Sequence, residues 1–411
     1  MTPYQVTVDP QVLQRLFRGE SQLGQLLEAV LNQVLEAQVT EQLQAAPYER
    51  TAERQGYRNG YKTRRLTTRV GRLVLRVPQV REGVFSTELF ARYQRSEQAL
   101  ILTLMEMVVN GVSTRKVARI TEELCGTGFA KSTVSDLCKG LDPLVEAWNE
   151  RDLSGQRYPF VLVDALVLKV RESGRVRAVS ALVAVGINEH GYREILGLQL
   201  GDSESERRWM AFFTWLKGRG LAGVDLIVSD HHGGLVNAVR VQFQGATWQR
   251  CQTHLSANVA EATPKALQEE VHVRLHAIFD APDLETARTL LARFAADFER
   301  TAPAATATLE RGFDDATAVL ALPLHYRRRL RTTNGVERLN AEIRRREQVI
   351  RIFPNREAAA RLLGALLLEQ DEAWTTGHRY FDMTSYWQWR DHQENVHPRG
   401  WPDEAVIQSV Q

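Results

Sequence analysis

The spacing of apolar positions changes repeatedly along the chain, and each change predicts a different element. Between residues 11 and 46 the leucines and valines (Leu13, Leu16, Leu23, Leu27, Val30, Leu31, Leu35, Val39 and Leu43 among them) recur at helical spacing, which predicts helices with one face on a core or a partner. From Leu66 to Val80 the pattern becomes alternation, with Val70, Leu73, Leu75 and Val77 set among Arg69, Arg72 and Arg76 around a turn at Gly71. That is the pattern of a β-hairpin with a basic face turned outward. Helical spacing returns between Ala99 and Trp148, with one helix through Leu100 to Val109, a second after a cap at Ser113 and a third after a cap at Ser132. The turn Cys125-Gly-Thr-Gly-Phe129 followed by Lys131-Ser-Thr-Val-Ser135 has the outline of a helix-turn-helix, which would set Lys131, Ser132 and Thr133 against DNA. A helical hairpin without a DNA role is the plainer alternative.

Beyond Trp148 the runs become strand-like: Pro159 to Val170, Arg177 to Ile187 and Arg193 to Leu200. A helix from Glu204 to Arg219, capped by Ser203, follows, then a strand from Val224 to Asp230, a helix from Gly234 to Gln242 and a fifth strand near Ala246 to Cys251. Three successive strands, a helix, a strand and a helix match the plan of a ribonuclease H-like α/β domain, with a mixed sheet flanked by helices. Residues 255–325 read helical throughout, as an insertion in that domain; a helix from Glu357 to Trp374 leads into an aromatic tail with Trp387, Trp389 and Trp401. The expected organisation is a helical segment (1–48), a basic hairpin region (49–95), a helix-turn-helix-like domain (96–150), a catalytic core in two parts (151–254 and 326–380) around the insertion (255–325), and a tail (381–411).

Within this frame Asp164 stands out. It sits alone in the apolar run from Tyr158 to Val170, and a carboxylate in a buried strand costs several kcal/mol unless something compensates it. A second acid, Asp230, ends the strand that begins at Val224 and precedes His231-His-Gly-Gly234; a third, Glu337, opens a helix inside a basic stretch. Two strand acids and one helix acid among arginines suggest divalent metal ions acting on a phosphodiester, with two ions clamping the attacking and leaving oxygens. Each acid has a plainer reading. Asp230 could simply end a strand, and Glu337, three residues after Asn334, could complete a capping box. Asp202, Glu204 and Glu206 read as loop acids beside a helix start. Cys251 and His254 suggest zinc, but a structural zinc site needs four ligands and the chain has three cysteines in all, so the pair is expected to pack beside the acids, with His254 donating to a phosphate or orienting a carboxylate.

Charge and composition refine this picture. A 411-residue chain, 44% hydrophobic and 25% charged, can bury a sizeable core, and its three cysteines fit a reducing compartment. No run approaches the ~20 apolar residues of a membrane span, and the start of the chain lacks a leader pattern, so a cytoplasmic protein is expected. The net charge is only +2, yet residues 50–81 carry ten basic side chains, Arg58, Arg64, Arg65 and Arg69 among them, against one acid, Glu53. A second basic block from Arg327 to Arg351 includes Arg338, Arg344 and Arg345. Such one-sided segments point to nucleic-acid contact.

Taken together, Leu-Val-Asp164-Ala, Gly-Asp-Ser-Glu-Ser-Glu206, Val-Ser-Asp230, Trp-Gln-Arg-Cys251 with His254, and Arg-Thr-Thr-Asn-Gly-Val-Glu337-Arg-Leu-Asn, with Arg58-Asn-Gly-Tyr61 and Gly111-Val-Ser-Thr-Arg115 upstream, resemble the Mutator-type transposases of bacterial insertion sequences. The resemblance runs from about residue 55 to 380. It implies a ribonuclease H-like core with a DDE triad (Asp164, Asp230, Glu337) interrupted by a helical insertion, and a cysteine-two-residues-histidine signature at Cys251 and His254. It further implies two Mg²⁺ ions, with Mn²⁺ able to substitute, double-stranded DNA partners (terminal inverted repeats and target), and a homodimer or larger assembly. Val167, His231, Gly233 and Ala257 depart from the family's usual residues without touching the triad. The rival expectations are a catalytically silent DNA-binding regulator or domesticated transposase, and a nuclease without strand transfer.

Overall fold

The computed structural model describes residues 23–68, 70–81, 98–110, 112–125 and 129–396, with residues 85, 87 and 89. The chain divides into two compact units, 1–140 and 141–411.

In the first unit, helix α1 (Leu23–Leu43) packs on a two-stranded antiparallel hairpin, β1 (Arg58–Thr68) and β2 (Gly71–Val80). Leu35 of the helix meets Leu66, Leu73 and Leu75 of the hairpin. Alternation therefore decides which basic residues face out. Arg65 pairs with Val74, Thr67 with Arg72 and Thr63 with Arg76 on the exposed face, whereas Arg64 pairs with Leu75 on the face toward the helix. The hairpin begins at Arg58, earlier than the alternation at Leu66 indicates, because the first half of β1 is polar on both faces and carries no period-two signal. Helices α2 (Gln98–Val109), α3 (Thr114–Cys125) and α4 (Lys131–Cys138) follow. Ser113 caps α3, its Oγ accepting from the Lys116 amide at 3.3 Å. The expected cap at Ser132 is not formed; Ala130 holds that position without a side-chain bond, and Ser132 lies one residue inside the helix.

The second unit is built on a five-stranded mixed sheet in the order β5-β4-β3-β6-β7. Strands β3 (Phe160–Glu172), β4 (Arg175–Ile187) and β5 (Arg193–Gly201) form an antiparallel meander. Helix α6 (Glu206–Gly218) then carries the chain across to β6 (Leu226–Ser229), which pairs in parallel with β3, and α7 (Gly233–Gln242) leads to β7 (Thr247–Arg250), parallel to β6. Parallel neighbours require such a helical crossover. Helix α5 (Asp142–Asn149) precedes this sheet. The N-cap of α6 is Ser205, not Ser203, and makes no side-chain cap bond. Where α6 and α7 approach, a Cβ on Gly234 would lie 2.5 Å from the Glu206 amide nitrogen, so that contact requires glycine.

Residue parity sorts β3 onto two faces. Val161 and Val163 join Leu182 and Ala184 in a core closed by α6 and α7. Phe160 points the opposite way, with ring centroids 6.0 Å from Tyr326, 5.9 Å from Phe381 and 4.7 Å from Tyr386. Asp164 shares that second face. The stretch after β7 folds as a helical bundle with its own core: α8 (Gln252–Glu261), α9 (Gln268–Phe279), α10 (Leu284–Phe298) and α11 (Pro303–Thr317). Helices α12 (Leu324–Leu330), α13 (Asn334–Ile350), α14 (Arg356–Thr375) and α15 (Thr384–Val396) return the chain to the sheet. The aromatic stretch after residue 380 packs on the Phe160 face of the sheet: buried Tyr386 donates to Asp225 Oδ2 at 2.7 Å and Arg390 pairs with the same oxygen at 2.8 Å. Trp401 lies outside the described residues. No helix among the described residues is long and apolar enough to cross a membrane.

Candidate active site

Strand register brings the first two acids together. Phe160, Val161 and Leu162 pair in parallel with Leu226, Ile227 and Val228, and the same offset carried two residues further sets Asp230 beside Asp164. Asp230 directly follows β6, where the backbone leaves the sheet for α7. Its strand end is anchored by Trp248 Nε1 donating to Ser229 Oγ at 2.9 Å.

Helix α13 supplies the third acid. Val336, Leu339, Asn340 and Ile343 form its buried stripe, at the spacing of one helical face. Asn340, one turn after Glu337, donates from Nδ2 to Asp164 Oδ2 at 2.6 Å, so α13 is tied to β3 at the acid itself. Asp164 Oδ1 accepts from the Ala165 amide at 2.9 Å. The compensation expected from a cation is thus supplied in part by a neutral amide. The Asp164 carboxyl is raised to about 6, chiefly by burial, with Asp230 and Glu337 adding to the rise and the Ala165 amide and the positive charge of His254 opposing it. Three carboxylates and one imidazole are therefore within electrostatic reach of one another.

Glu337 does not complete a capping box. Helix α13 starts after Thr333, whose carbonyl accepts from the Val336 and Glu337 amides at 2.8 and 2.9 Å, and Glu337 Oε1 accepts from Thr333 Oγ1 at 3.0 Å. Thr333 also donates from its amide to Cys251 Sγ at 3.4 Å, with its hydroxyl at the same distance from that sulfur. A hydroxyl has one hydrogen to give, and the closer carboxylate is the better acceptor. Cys251, fully buried at the start of α8, is thereby linked through Thr333 to Glu337.

His254 lies one turn into α8. The adjacent Cys251 thiol raises its imidazole to about 9; burial opposes this, and Asp230 and Glu337 add to it. Burial alone would push the Cys251 thiol up, but hydrogen bonds with His254 and Thr333 outweigh it and hold the thiol below its ordinary value. Ligand atoms of Cys251, His254 and Glu337 lie within 4.8 Å of one another. His254 Nδ1 and Asn340 Oδ1 are buried without a hydrogen-bond partner beside the acids. The group of Cys251, His254 and Glu337 offers one sulfur, one nitrogen and one carboxylate, and the carboxylates of Asp164 and Asp230 are within electrostatic reach of it; carboxylate oxygens suit hard divalent cations such as Mg²⁺ and Mn²⁺.

The profile of the family described as transposase, Mutator family, matches residues 5–377. The chain belongs to this family. It is similar to the transposase for insertion sequence element IS256 in transposon Tn4001 of Staphylococcus aureus, 45% identical over 358 residues, covering 87% of this chain and 92% of the relative. It is also 45% identical to the transposase for ISRM5 of Rhizobium meliloti, over 88% of this chain and 90% of the relative, and 42% identical to the transposase for IS1081 of Mycobacterium tuberculosis, over 82% and 81%. In this Mutator-family transposase the rival acids are occupied elsewhere. Asp202 pairs with Arg208 and Arg356, and Glu204 accepts from Trp209 Nε1 at 3.2 Å.

The expected DNA-contacting residues fall into three groups. Arg58 is held inside the first unit: it pairs with Glu36 at 3.3 Å and donates to the Ala45 carbonyl and Thr40 Oγ1 at 2.9 and 2.7 Å. Arg64 turns inward and is half-buried, while Arg65 is exposed. Ser132 and Thr133 are exposed on α4, whose first residue is Lys131; Arg69 lies outside the described residues. Arg338 and Arg344 are exposed on α13, and Arg345 is exposed but bound to Glu342 at 2.8 and 2.9 Å. Sequence reasoning missed Asn340 and Thr333. A polar residue inside the apolar stripe of α13, one turn from Glu337, was the available signal for Asn340.

Proposed function

We propose that this transposase is a cytoplasmic DDE enzyme that binds the terminal inverted repeats of its own insertion sequence, cleaves the DNA strand and joins the freed 3′-hydroxyl to target DNA. The observation that carries this reading is the convergence of Asp164, Asp230 and Glu337 beside His254, from two neighbouring strands and one helix. The strand order, with an antiparallel meander followed by two parallel strands, supports a ribonuclease H-like core, and the bundle from α8 to α11 supports a helical insertion between the second and third acids.

Asp164, Asp230 and Glu337 would hold two Mg²⁺ ions, or Mn²⁺ in their place, and bound divalent ions supply Lewis-acid stabilisation of phosphate charge and activation of a nucleophilic oxygen. Asn340 orients Asp164 through its amide, and Thr333 orients Glu337 through its hydroxyl. His254, carrying a proton at neutral pH, offers a positive donor to a phosphate oxygen beside the acids. Exposed Arg65, Arg72 and Arg76 on the hairpin and exposed Ser132 and Thr133 on α4 are suited to hold DNA, the former by phosphate and the latter by base edges. Handling two DNA ends together calls for at least a homodimer. Incubating the purified chain with element-end duplex and Mg²⁺ tests the reading: 3′-end nicks and joined products are expected, and binding without any nicking would favour the silent DNA-binding regulator.

A further inference from the structure

Two guanidinium groups stack on one phenol on the same face of the sheet as Asp164, and a third bears on it electrostatically. Phe160, Ile187 and Arg193 stand opposite one another across β3, β4 and β5, which puts Arg193 on the face of Phe160 and Asp164. Its guanidinium carbon lies 4.1 Å from the ring centroid of Trp374 and 4.6 Å from that of Tyr380. Arg329 lies 4.7 Å from the Tyr380 centroid and donates to the Tyr380 carbonyl. Arg338, the residue after Glu337, acts electrostatically on both Arg193 and Tyr380.

Among the described residues, the groups that bear electrostatically on Arg193 are Tyr380, Arg329 and Arg338, none of them an anion at neutral pH. The aromatic faces offset part of the mutual repulsion, because each cation lies over the negative face of a ring. A purely structural cluster, with Arg193 fastening β5 to α14 through Trp374 and Arg329 tied to the Tyr380 carbonyl, accounts for where those two sit but not for exposed Arg338, nor for what offsets three like charges. An anion that offers its oxygens in pairs is the partner such a cluster suits, because guanidinium forks match phosphate oxygens two at a time.

We propose that Arg193, Arg329 and Arg338, backed by Trp374 and Tyr380, form a phosphate-binding site for the DNA strand engaged at the acids. The inference rests on the DNA-processing reading above. Two strand spacings and four residues along β3 separate Arg193 from Asp164, roughly 16 Å on a sheet, a distance of a few nucleotides along a DNA strand. The site therefore grips the backbone beside the reacting phosphodiester and leaves sequence choice to other surfaces.

The test uses the full chain, a short fluorescein-labelled duplex of random sequence and, separately, inorganic phosphate. With Arg329→Ala and Arg338→Ala combined, both exposed and so compatible with folding, the slope of log affinity against log salt is expected to flatten by about 0.9 per arginine. Arg193→Lys, which keeps the charge but not the fork, should weaken binding with the slope retained. A double variant with the wild-type slope overturns the proposal. So does thermal stabilisation of the wild type by inorganic phosphate that the double variant loses while its DNA slope is unchanged, because the site then serves a free anion. Flattened slopes in a protein that never nicks DNA would support this site and sink the catalytic reading instead.

Discussion

Asn340 Nδ2 donates to Asp164 Oδ2 at 2.6 Å, across 176 residues of sequence. This bond joins the helix that carries Glu337 to the strand that carries Asp164, so two of the three acids share one positional constraint. Asn340→Ala is expected to lower the affinity for Mn²⁺ by ~10–100-fold, as loss of an orienting partner does in metal sites. Calorimetric Mn²⁺ titration checks this, and unchanged affinity would reduce Asn340 to a packing residue.

Replacing the acids by their amides (Asp164→Asn, Asp230→Asn and Glu337→Gln) should each abolish nicking and joining while affinity for end DNA changes less than about twofold, since the phosphate contacts lie elsewhere. Gel assays of cleavage beside anisotropy binding curves measure both. Near-normal joining by Glu337→Gln would leave Glu337 as a partner of Thr333 and nothing more.

The raised carboxyl of Asp164 predicts a stability trade. Its ionised form is disfavoured by folding, so the cost is absent below pH ~4, where the group is protonated in both states, grows as pH rises, and is complete above about 6. In metal-free buffer Asp164→Asn should thus be more stable than the wild type at pH 7, by on the order of 3 kcal/mol, and the difference should vanish in acid. Mg²⁺ should raise the melting temperature of the wild type and not of the variant. His254 has the opposite sign: its raised pKa contributes stability that is complete below pH ~6.5 and is lost as pH rises through about 9. His254→Ala should remove that loss, and should impair strand transfer with DNA binding retained.

Zinc and active-site readings of Cys251 diverge in metal content. Among the described residues its cluster has three members, Cys251, His254 and Glu337, and a structural zinc needs four. Metal analysis of the purified chain should find no stoichiometric zinc, and Cys251→Ser should fold. The serine should also bring the His254 titration, followed by NMR, down from about 9, because the neighbouring thiol is its largest support.

On the hairpin, Arg58 and the outward arginines should separate cleanly. Arg58→Ala removes contacts to Glu36, Thr40 and Ala45 and is expected to cost about 1.5–3 kcal/mol of stability with the salt slope of DNA binding unchanged. Combined Arg65→Ala, Arg72→Ala and Arg76→Ala should leave the melting temperature in place and flatten that slope. A flattened slope in Arg58→Ala alone would reverse this assignment.

What the sequence determined by itself was local: the period of each segment, hence five strands and their helices in order, and three carboxylates placed at a strand centre, a strand end and a helix start. Those properties depend on neighbours within a few residues, which is the range over which alternation and helical spacing act. The tertiary structure decided which distant groups meet. That Asp164 is held by Asn340 and not by an arginine, that Thr333 stands between Cys251 and Glu337, and that Arg193 faces Arg329 and Arg338 all follow from sheet order and from where α13 docks. The same holds for the basic residues. Composition marks residues 50–81 as cationic, but packing on α1 assigns Arg58 and Arg64 inward and leaves Arg65, Arg72 and Arg76 outside, because in a strand one step of register turns a side chain to the other face.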